Sequence, residues 1–546
     1  MPPQRNEQGL RVAVEGCGHG QLHVIYDAIQ KAQEENDFMV DLLIVCGDFQ
    51  AMRNLTDLEV MSCPAKYREI GDFHEYYSGK RVAPVLTLFI GGNHEASSHG
   101  AELFHGGWAA PNIYYLGAAG VVQVGNLRIG GLSGIYKSHD YSKPHNERLP
   151  YYPNEIKSIY HVRSYDVFKL HQIQEPVDVM LSHDWPANIE HYGDKHRLFR
   201  FKPHFRSDSE KGELGNPPAE GLLKRIKPKY WFSGHMHCKF EAIVRHDGEG
   251  KQVEMKPAAV PAARNLDELD LGLESSATAP SKNPDELDLE LDDAVENTAP
   301  VALKNPDEID VGLDVVTESE LQPTAASNSE EIVLGMEDIP ETAPPLPPTQ
   351  DGPSPTTNTA TRFLALDKAL PNRDFLQILN IPFSRPLPDN RSRTGLYYDS
   401  EFLAITRFMN AYPGNNADVV NSIKDLPPPD VAAGIAKERE WVEANIVAQG
   451  KLQIPQNFEI TAPPYRPGEK PEPQPRPYIS PQTRAFCELL QMQDWVAQSE
   501  EEWETKKERL RTHPPTRFEG RGGFGGGRGG GRGGGGWRGG RGGRRG

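Results

Sequence analysis

Five short segments of the chain are rich in residues that bind metal ions or move protons, and four of them contain glycine. They are Gly16-Cys17-Gly18-His19, Gly47-Asp48, Gly91-Gly92-Asn93-His94-Glu95, His183-Asp184 and Gly234-His235-Met236-His237. Imidazole, carboxylate, amide and thiolate groups all offer a lone pair to a divalent ion. The glycines let the backbone turn sharply and let an ion approach. One such segment is an ordinary turn sequence, but five in succession predict a metal site.

A short apolar run precedes each of these segments. The runs span 11–14, 41–46, 85–90, 177–182 and 230–233, and helical patterns cover 21–35, 432–447 and 481–510. Continuous runs rich in Val, Ile and Leu are typical of strands buried on both faces. The alternation of strands and helices predicts an α/β layered domain. In such sheets ligands bind beyond the carboxyl ends of the strands, where all five segments lie.

The order Gly-Asp, Gly-Asn-His-Glu, His and Gly-His-x-His resembles the calcineurin-like metallophosphoesterase superfamily over roughly residues 9–240. The resemblance implies a layered β-sandwich flanked by helices. It implies that Asp48 bridges two metal positions and that His94 is the general acid or transition-state stabiliser rather than a ligand. The ligands it implies are Asn93, His183 and His235 for one position, and Cys17, His19 and His237 for the other, with Asp48 shared.

The chemistry of phosphodiester hydrolysis fits this set of side chains. A divalent ion neutralises the anionic phosphate and lowers the pKa of bound water from about 15.7 toward about 7. Two ions roughly 4 Å apart can hold the attacking and leaving oxygens in line. A histidine with a reference pKa of about 6.5 can protonate the leaving oxygen near neutral pH.

Cys17 departs from the superfamily, whose first motif is usually Asp-x-His. In this respect the chain resembles one branch, the RNA lariat debranching enzymes, and five further stretches agree with that branch. They are residues 47–54, 114–117, 130–136, 181–186 and 361–368. The resemblance implies hydrolysis of the 2′–5′ phosphodiester bond at the branch point of excised intron lariat RNA, which linearises the intron for turnover.

The role of Cys17 has three interpretations. A thiolate among imidazoles and a carboxylate suits Fe²⁺ or Zn²⁺ better than Mg²⁺ or Ca²⁺. We therefore expect Fe²⁺ or Zn²⁺, with Mn²⁺ as a third choice, and one or two ions per active site. Alternatively, Cys17 binds weakly and leaves a one-metal enzyme, or it is a small buried residue without a metal role.

Residues 133–163 contain five Lys or Arg, five Tyr and three His residues. Interleaved cations and aromatic rings suit phosphates and unstacked bases, although a solvated surface loop has a similar composition. In debranching enzymes this segment corresponds to the lariat-recognition loop. The predicted substrate-loop residues are Tyr136, Lys137, His139, Tyr141, Lys143, Arg148, Tyr151 and Tyr152.

The chain of 546 residues divides by composition. We expect a catalytic domain at 1–250, a disordered acidic repeat linker at 251–358, a debranching-enzyme-like C-terminal region at 359–512 and a disordered Arg-Gly-Gly tail at 513–546. Residues 256–351 hold 23 acidic and 4 basic residues, whereas residues 520–546 hold seven Arg and no acid. Too little of the linker can be buried to offset its chain entropy, and the tail is typical of segments that bind RNA loosely.

Five scattered cysteines argue against a disulfide framework, and neither a signal peptide nor an apolar membrane span is evident. We expect a nuclear protein, with shuttling to the cytoplasm left open, whose partners are branched intron RNA and no membrane. Protein partners of the acidic linker and the oligomeric state are not predicted. The alternatives for function are a general metallophosphoesterase (a nuclease or a protein phosphatase) and an inactive RNA-binding scaffold.

Overall fold

Two seven-stranded sheets form the centre of a computed structural model that describes residues 8–246, 268–269 and 358–512. In spatial order the first sheet consists of β11 (Glu268–Leu269), β13 (Leu376–Pro382), β1 (Gly9–Glu15), β2 (Leu42–Val45), β3 (Leu86–Phe89), β5 (Ile113–Tyr115) and β4 (Gly107–Ala110). The second consists of β10 (Phe240–Arg245), β12 (Ala360–Ala365), β9 (Tyr230–Ser233), β8 (Val179–Ser182), β7 (Leu127–Leu132), β6 (Ala119–Val124) and β14 (Leu396–Tyr398).

The middle of each sheet is parallel. Strands β1, β2, β3 and β5 run in one direction in the first sheet, and β7, β8, β9 and β12 run in one direction in the second. The five predicted apolar runs coincide with β1, β2, β3, β8 and β9. Their carboxyl ends therefore carry the five polar segments, as the sequence predicts.

Alternating side chains divide the core into layers. Val12 and Val14 of β1 join Leu181 of β8 and Phe232 of β9 in one apolar cluster between the sheets. Ala13 of β1 faces the other way, into a cluster that includes residues of the first helix. Helices cover the outer face of the second sheet in the same manner. The predicted layered β-sandwich flanked by helices is confirmed.

The helices have the following bounds: α1 (Leu22–Asn36), α2 (Leu55–Leu58), α3 (Phe73–Tyr77), α4 (Ser97–Glu102), α5 (Ser138–Tyr141), α6 (Pro153–Ser158), α7 (Ser164–His171), α8 (Lys195–Phe201), α9 (Phe205–Lys211), α10 (Pro217–Ile226), α11 (Ser400–Asn410), α12 (Ala417–Ile423), α13 (Pro428–Val442), α14 (Pro481–Leu489) and α15 (Glu500–Thr512). The described residues also include two 3₁₀ turns, Ala65–Tyr67 and Ile189–Tyr192, and a π-helical extension of α13 over Glu443–Val447.

The helical pattern at 21–35 matches α1, and the one at 432–447 matches α13 with its extension. The prediction of helix throughout 481–510 is wrong between 490 and 499. Gln491 there adopts a left-handed conformation with φ of 51°, which ends the helical path. Within the described ranges, no helix combines the length and the apolar character that crossing a membrane requires.

Residues beyond 358 complete both sheets. β13 pairs with all seven residues of β1, and β12 pairs with β9. Arg128 of β7 adds a buried ionic link, because its guanidinium bonds Asp399 at 2.6 and 2.8 Å and Glu401 at 2.7 Å. All described residues fall in one unit, Met1–Ser275 with Ile339–His513, whose sheets contain strands from both parts of the chain. The predicted disordered linker and tail lie, apart from 268–269 and 358, outside the described residues.

Candidate metal centre

Four of the predicted site residues, which follow the ends of strands, adopt left-handed backbone conformations. His19, Asp48, His235 and His237 have φ values of 41°, 47°, 64° and 46°. A left-handed conformation costs roughly 1–2 kcal/mol for a residue with a side chain, although Asp, Asn and His tolerate it better than most. Four such residues at the ends of three strands are held there by the surrounding fold. Backbone strain of this kind clusters at functional sites.

Asp48 lies at the middle of the cluster and is 1% exposed. Its Oδ1 accepts a hydrogen bond from the backbone N–H of His94 at 2.9 Å and lies 3.4 Å from Nε2 of His183. Its Oδ2 lies 3.6 Å from Nε2 of His19. Burial alone would raise the pKa of this carboxyl, but the neighbouring imidazoles hold it well below its usual value. Asp48 is therefore a carboxylate whose two oxygens face opposite halves of the site.

His183, Asn93 and His235 lie on the Oδ1 side of Asp48. Nδ1 of His183 is 2.8 Å from the carbonyl oxygen of Cys46, to which it donates a hydrogen bond. This fixes the ring with the lone pair of Nε2 pointing into the site, 3.2 Å from Oδ1 of Asn93. The ring of His235 lies 5.0 Å from that of His183. Nε2 thus faces two oxygen acceptors, which favour a positive charge between them: although burial lowers the pKa of His183, Asp48 raises it above its usual value. The same oxygen and nitrogen atoms fit a divalent ion.

Cys17, His19 and His237 lie on the Oδ2 side. One ligand atom from each of these residues and one from Asp48 lie within 4.8 Å of one another. The Nε2 atoms of His19 and His237 are 3.2 Å apart. The Cys17 sulfur is buried and accepts the backbone N–H of His235 at 2.9 Å. The fold thus brings the sulfur into the group of ligand atoms, as the interpretation of Cys17 as a ligand requires.

Burial sets the protonation of these groups. It lowers the pKa of His19 to about 4 and that of His235 to about 3, and it holds the pKa of His237 well below its usual value. All three imidazoles are neutral near pH 7, which is the form that binds a metal. Burial, with Asp48 and Glu15 nearby, raises the pKa of the Cys17 thiol well above its usual value. A metal that binds Cys17 must therefore displace its proton.

Glu95 positions the site without being a predicted ligand. Its carboxylate accepts the backbone N–H groups of Phe49 and Gln50 at 2.8 Å each and that of Gly92 at 2.9 Å. The turn after β2 is thereby tied to the turn after β3. Burial and the charge of Asp48 raise the pKa of Glu95 to about 7. Its place in the Gly-Asn-His-Glu segment was the only sequence signal for this role.

The C-terminal region contributes backbone contacts at Cys17. The N–H of Cys17 donates to the carbonyl oxygen of Asp367 at 3.3 Å, and the N–H of Ala369 donates to that of Cys17 at 3.2 Å. Sequence reasoning found no chemical motif beyond residue 358. The run at 361–368 carries a resemblance to debranching enzymes but no ligand residue pattern, and its end lies beside the segment Gly16–His19.

The predicted substrate-loop residues differ in accessibility. His139 and Lys143 have side chains that are 68% and 61% exposed, and Tyr136, Lys137, Tyr141 and Tyr152 are partly exposed. Tyr151 is 3% exposed and packs with Leu149 and Trp503. The guanidinium of Arg148 donates to the backbone carbonyls of His145, Glu147 and Trp495. Tyr151 therefore shapes the segment from its interior, whereas Arg148 is partly exposed and also holds the segment through its bonds to backbone carbonyls.

Comparisons with known proteins agree with this geometry. The family model for calcineurin-like phosphoesterases matches residues 10–239, and the model for the C-terminal domain of lariat debranching enzymes matches residues 358–495. The lariat debranching enzyme of Schizosaccharomyces pombe is 39% identical over 492 residues, which are 90% of this chain and 97% of that protein. The enzyme of Drosophila melanogaster is 40% identical over 89% of this chain and 78% of its own length.

The lariat debranching enzyme of Homo sapiens is 38% identical over 88% of this chain and 69% of its own length. These matches run through both the catalytic sheets and the C-terminal region. The resemblance that Cys17 suggested is confirmed. The chain belongs to the lariat debranching enzyme family.

Proposed function

We propose that this chain is a metal-dependent hydrolase that cleaves the 2′–5′ phosphodiester bond at the branch point of intron lariat RNA. Family membership supports the reaction class. The observation that carries the proposal is the convergence of buried donor atoms from five strand ends around the two oxygens of Asp48. Such a set suits an anionic phosphodiester, because divalent ions bound there neutralise the phosphate and lower the pKa of bound water.

The two halves of the site would hold different ions. Asp48, Asn93, His183 and His235 provide oxygen and imidazole donors. Cys17 adds a thiolate to the other half, and soft sulfur with imidazole favours Zn²⁺ or Fe²⁺, with Mn²⁺ less favoured. The imidazoles of His19, His235 and His237 are neutral and Asp48 is a carboxylate, so these ligands bind without losing a proton, whereas Cys17 binds with loss of its thiol proton.

His94 is the proposed proton donor. Its backbone N–H bonds Asp48, which fixes the residue beside the metal ligands, and its ring lies 5.9 Å from that of His19. The ring is partly exposed and can contact substrate. Water adds to phosphorus and releases a proton to solvent, the bond from phosphorus to the 2′-oxygen breaks, and His94 gives a proton to that oxygen. The products are a 2′-hydroxyl on the branch nucleotide and a 5′-phosphate on the released end.

The segment 133–163 is proposed to hold the branch nucleotides through its accessible side chains. His139, Lys143 and Lys137 provide polar and cationic contacts, and Tyr136 and Tyr141 provide rings. A buried network supports the segment: Asp140 bonds Nδ1 of His161 at 2.6 Å. Lys143→Ala should raise KM for branched RNA with little effect on kcat, because Lys143 is exposed and is not among the predicted metal ligands.

The tail at 513–546 is proposed to bind RNA through its arginines, and the protein to work in the nucleus, where introns are excised. The seven arginines of residues 520–546, a stretch that contains no acidic residue, support the first proposal. Truncation after Thr512 should weaken binding of linear RNA at low salt and leave cleavage of a short branched RNA unchanged. Equal binding of linear RNA by both proteins would contradict the role of the tail.

The test of the reaction is substrate preference. Protein freed of metal is reconstituted with Fe²⁺, Zn²⁺ or Mn²⁺ and given a branched RNA, a linear RNA of the same sequence and a phosphopeptide. We expect cleavage of the 2′–5′ bond alone. Faster cleavage of linear RNA or of the phosphopeptide would favour a general metallophosphoesterase, and inactivity with every ion would favour an RNA-binding scaffold.

A further inference from the structure

A second group of side chains of metal-binding types lies outside the strand-end site, which comprises Cys17, His19, Asp48, Asn93, His183, His235 and His237. His105 lies between α4 and β4, Cys487 lies in α14, and Asp494 follows that helix. One ligand atom from each of these residues lies within 4.8 Å of the others. The group joins an edge of the first sheet to the C-terminal region. The reaction proposed above uses none of its members.

The imidazole of His105 lacks a hydrogen-bond partner within the described part of the chain. Both of its ring nitrogens are buried, and neither has a hydrogen-bond partner among the described residues. Phe104, Phe486 and Trp495 surround the ring, with centroids 5.2, 5.7 and 6.4 Å away. An unsatisfied buried polar group costs about 1–3 kcal/mol. Burial also lowers the pKa of His105 to about 3, so the imidazole is neutral and has a lone pair to offer.

Asp494 and Cys487 provide the charges that a divalent ion needs. Oδ1 of Asp494 accepts the backbone N–H groups of Val496 and Ala497 at 3.1 Å each, which holds the carboxylate in place. Cys487 is 4% exposed and is a free cysteine. One thiolate and one carboxylate cancel the two positive charges of the ion. A neutral site of this kind is favourable in a protein interior, where an uncompensated charge is costly.

We propose that His105, Cys487 and Asp494 bind a structural divalent ion of the zinc class. One nitrogen, one sulfur and one oxygen are a donor set that Zn²⁺ accepts in tetrahedral sites, and the fourth position would be taken by water. Binding forms a metal–sulfur bond and releases the thiol proton of Cys487 to solvent. The ion would fasten α14 and the turn after it to the loop before β4.

The test uses Co²⁺ as a spectroscopic substitute for Zn²⁺ in the full-length chain. Cys17→Ser first removes the cysteine of the strand-end site. We expect this variant to keep a near-ultraviolet thiolate-to-cobalt band. The band should vanish in Cys17→Ser/Cys487→Ser, with one fewer Co²⁺ bound per chain, and it should persist in the matched control Cys17→Ser/Cys63→Ser.

Absence of the band from Cys17→Ser, or its persistence after Cys487→Ser, would overturn the proposal. If Cys487→Ser prevents folding, Asp494→Asn provides a second test, because an amide oxygen still accepts the two backbone N–H groups. This variant should raise the Kd for Co²⁺ at the second site about 10-fold or more. An unchanged Kd would exclude Asp494 as a ligand and contradict the three-residue site.

Discussion

Gly92 allows the Gly-Asn-His-Glu turn to pass directly against Asp48, and replacing it with alanine should disable the site. A Cβ atom at position 92 would lie 2.2 Å from Oδ1 of Asp48, 2.5 Å from its backbone nitrogen and 2.7 Å from Nε2 of His183. Rotating the carboxylate relieves only the first contact, since the second is to the backbone. Ordinary contact begins at 3.4 Å and the backbone nitrogen of Asp48 would lie at 2.5 Å, so Asp48 and residue 92 must separate by about 0.9 Å.

A displacement on the order of 1 Å in a catalytic constellation costs about 10²-fold in rate. We therefore expect Gly92→Ala to reduce the initial rate on a branched RNA by about 10²-fold or more, which corresponds to about 2.7 kcal/mol of transition-state stabilisation. Overpacking of this kind also lowers the free energy of unfolding by about 1–3 kcal/mol. The assay measures rate and bound metal on the same sample, after circular dichroism has verified the fold.

Gly91→Ala is the matched control. A Cβ atom at position 91 would lie 3.4 Å from the Tyr115 hydroxyl, the nearest of its neighbours, which is ordinary contact. The two variants add the same methyl group one residue apart. Equal rates for Gly91→Ala and Gly92→Ala would refute the reasoning, because the close approach to Asp48 would then have no catalytic consequence.

Two further predictions concern stability. Arg128→Met leaves the buried carboxylate of Asp399 without its cation and Glu401 with Arg439 alone, so it should lower the free energy of unfolding in urea by about 3–5 kcal/mol. The exposed control Arg484→Met should change it by less than about 0.5 kcal/mol, and a small effect of Arg128→Met would show that the link between β7 and α11 is dispensable. Burial lowers the pKa of His99 from its ordinary value of 6.5 to about 3. Between these two pH values the unfolded chain binds a proton at His99 and the folded chain does not. The free energy of unfolding therefore falls by about 1.4 kcal/mol for each pH unit between 6.5 and 3. His99→Gln should flatten this decline in pH-dependent urea titrations, exposed His196→Gln should not, and an unchanged slope in His99→Gln would contradict the assignment.

The strand ends were predictable because their signals are local. A buried parallel strand is a short apolar run, and the polar residue after it lies at the sheet edge where ligands bind. Asp48, Asn93 and the histidines could therefore be placed near one another from sequence order. Their left-handed backbone conformations could not, since those depend on contacts with neighbouring turns.

Other features depend on pairing between distant residues, which a single sequence does not reveal. β12 and β13 follow a separation of more than a hundred residues from β10 and enter both sheets. Glu95 has its role only because two turns meet. Tyr151 has the composition of a base-stacking residue but is buried against Trp503 from the far end of the chain. In each case the position or role of the residue depends on tertiary contacts, which local composition does not determine.

The strand-end site is proposed to bind metal and to cleave branched RNA with His94 as proton donor. The most direct measurement compares wild-type protein and His94→Ala for cleavage of the 2′–5′ bond and for bound metal on the same samples. General acid catalysis contributes about 10²–10⁴-fold, so His94→Ala should lose that much rate and keep its full metal content. A wild-type protein that leaves the 2′–5′ bond intact, or a His94→Ala protein that cleaves it at the wild-type rate, would contradict the account.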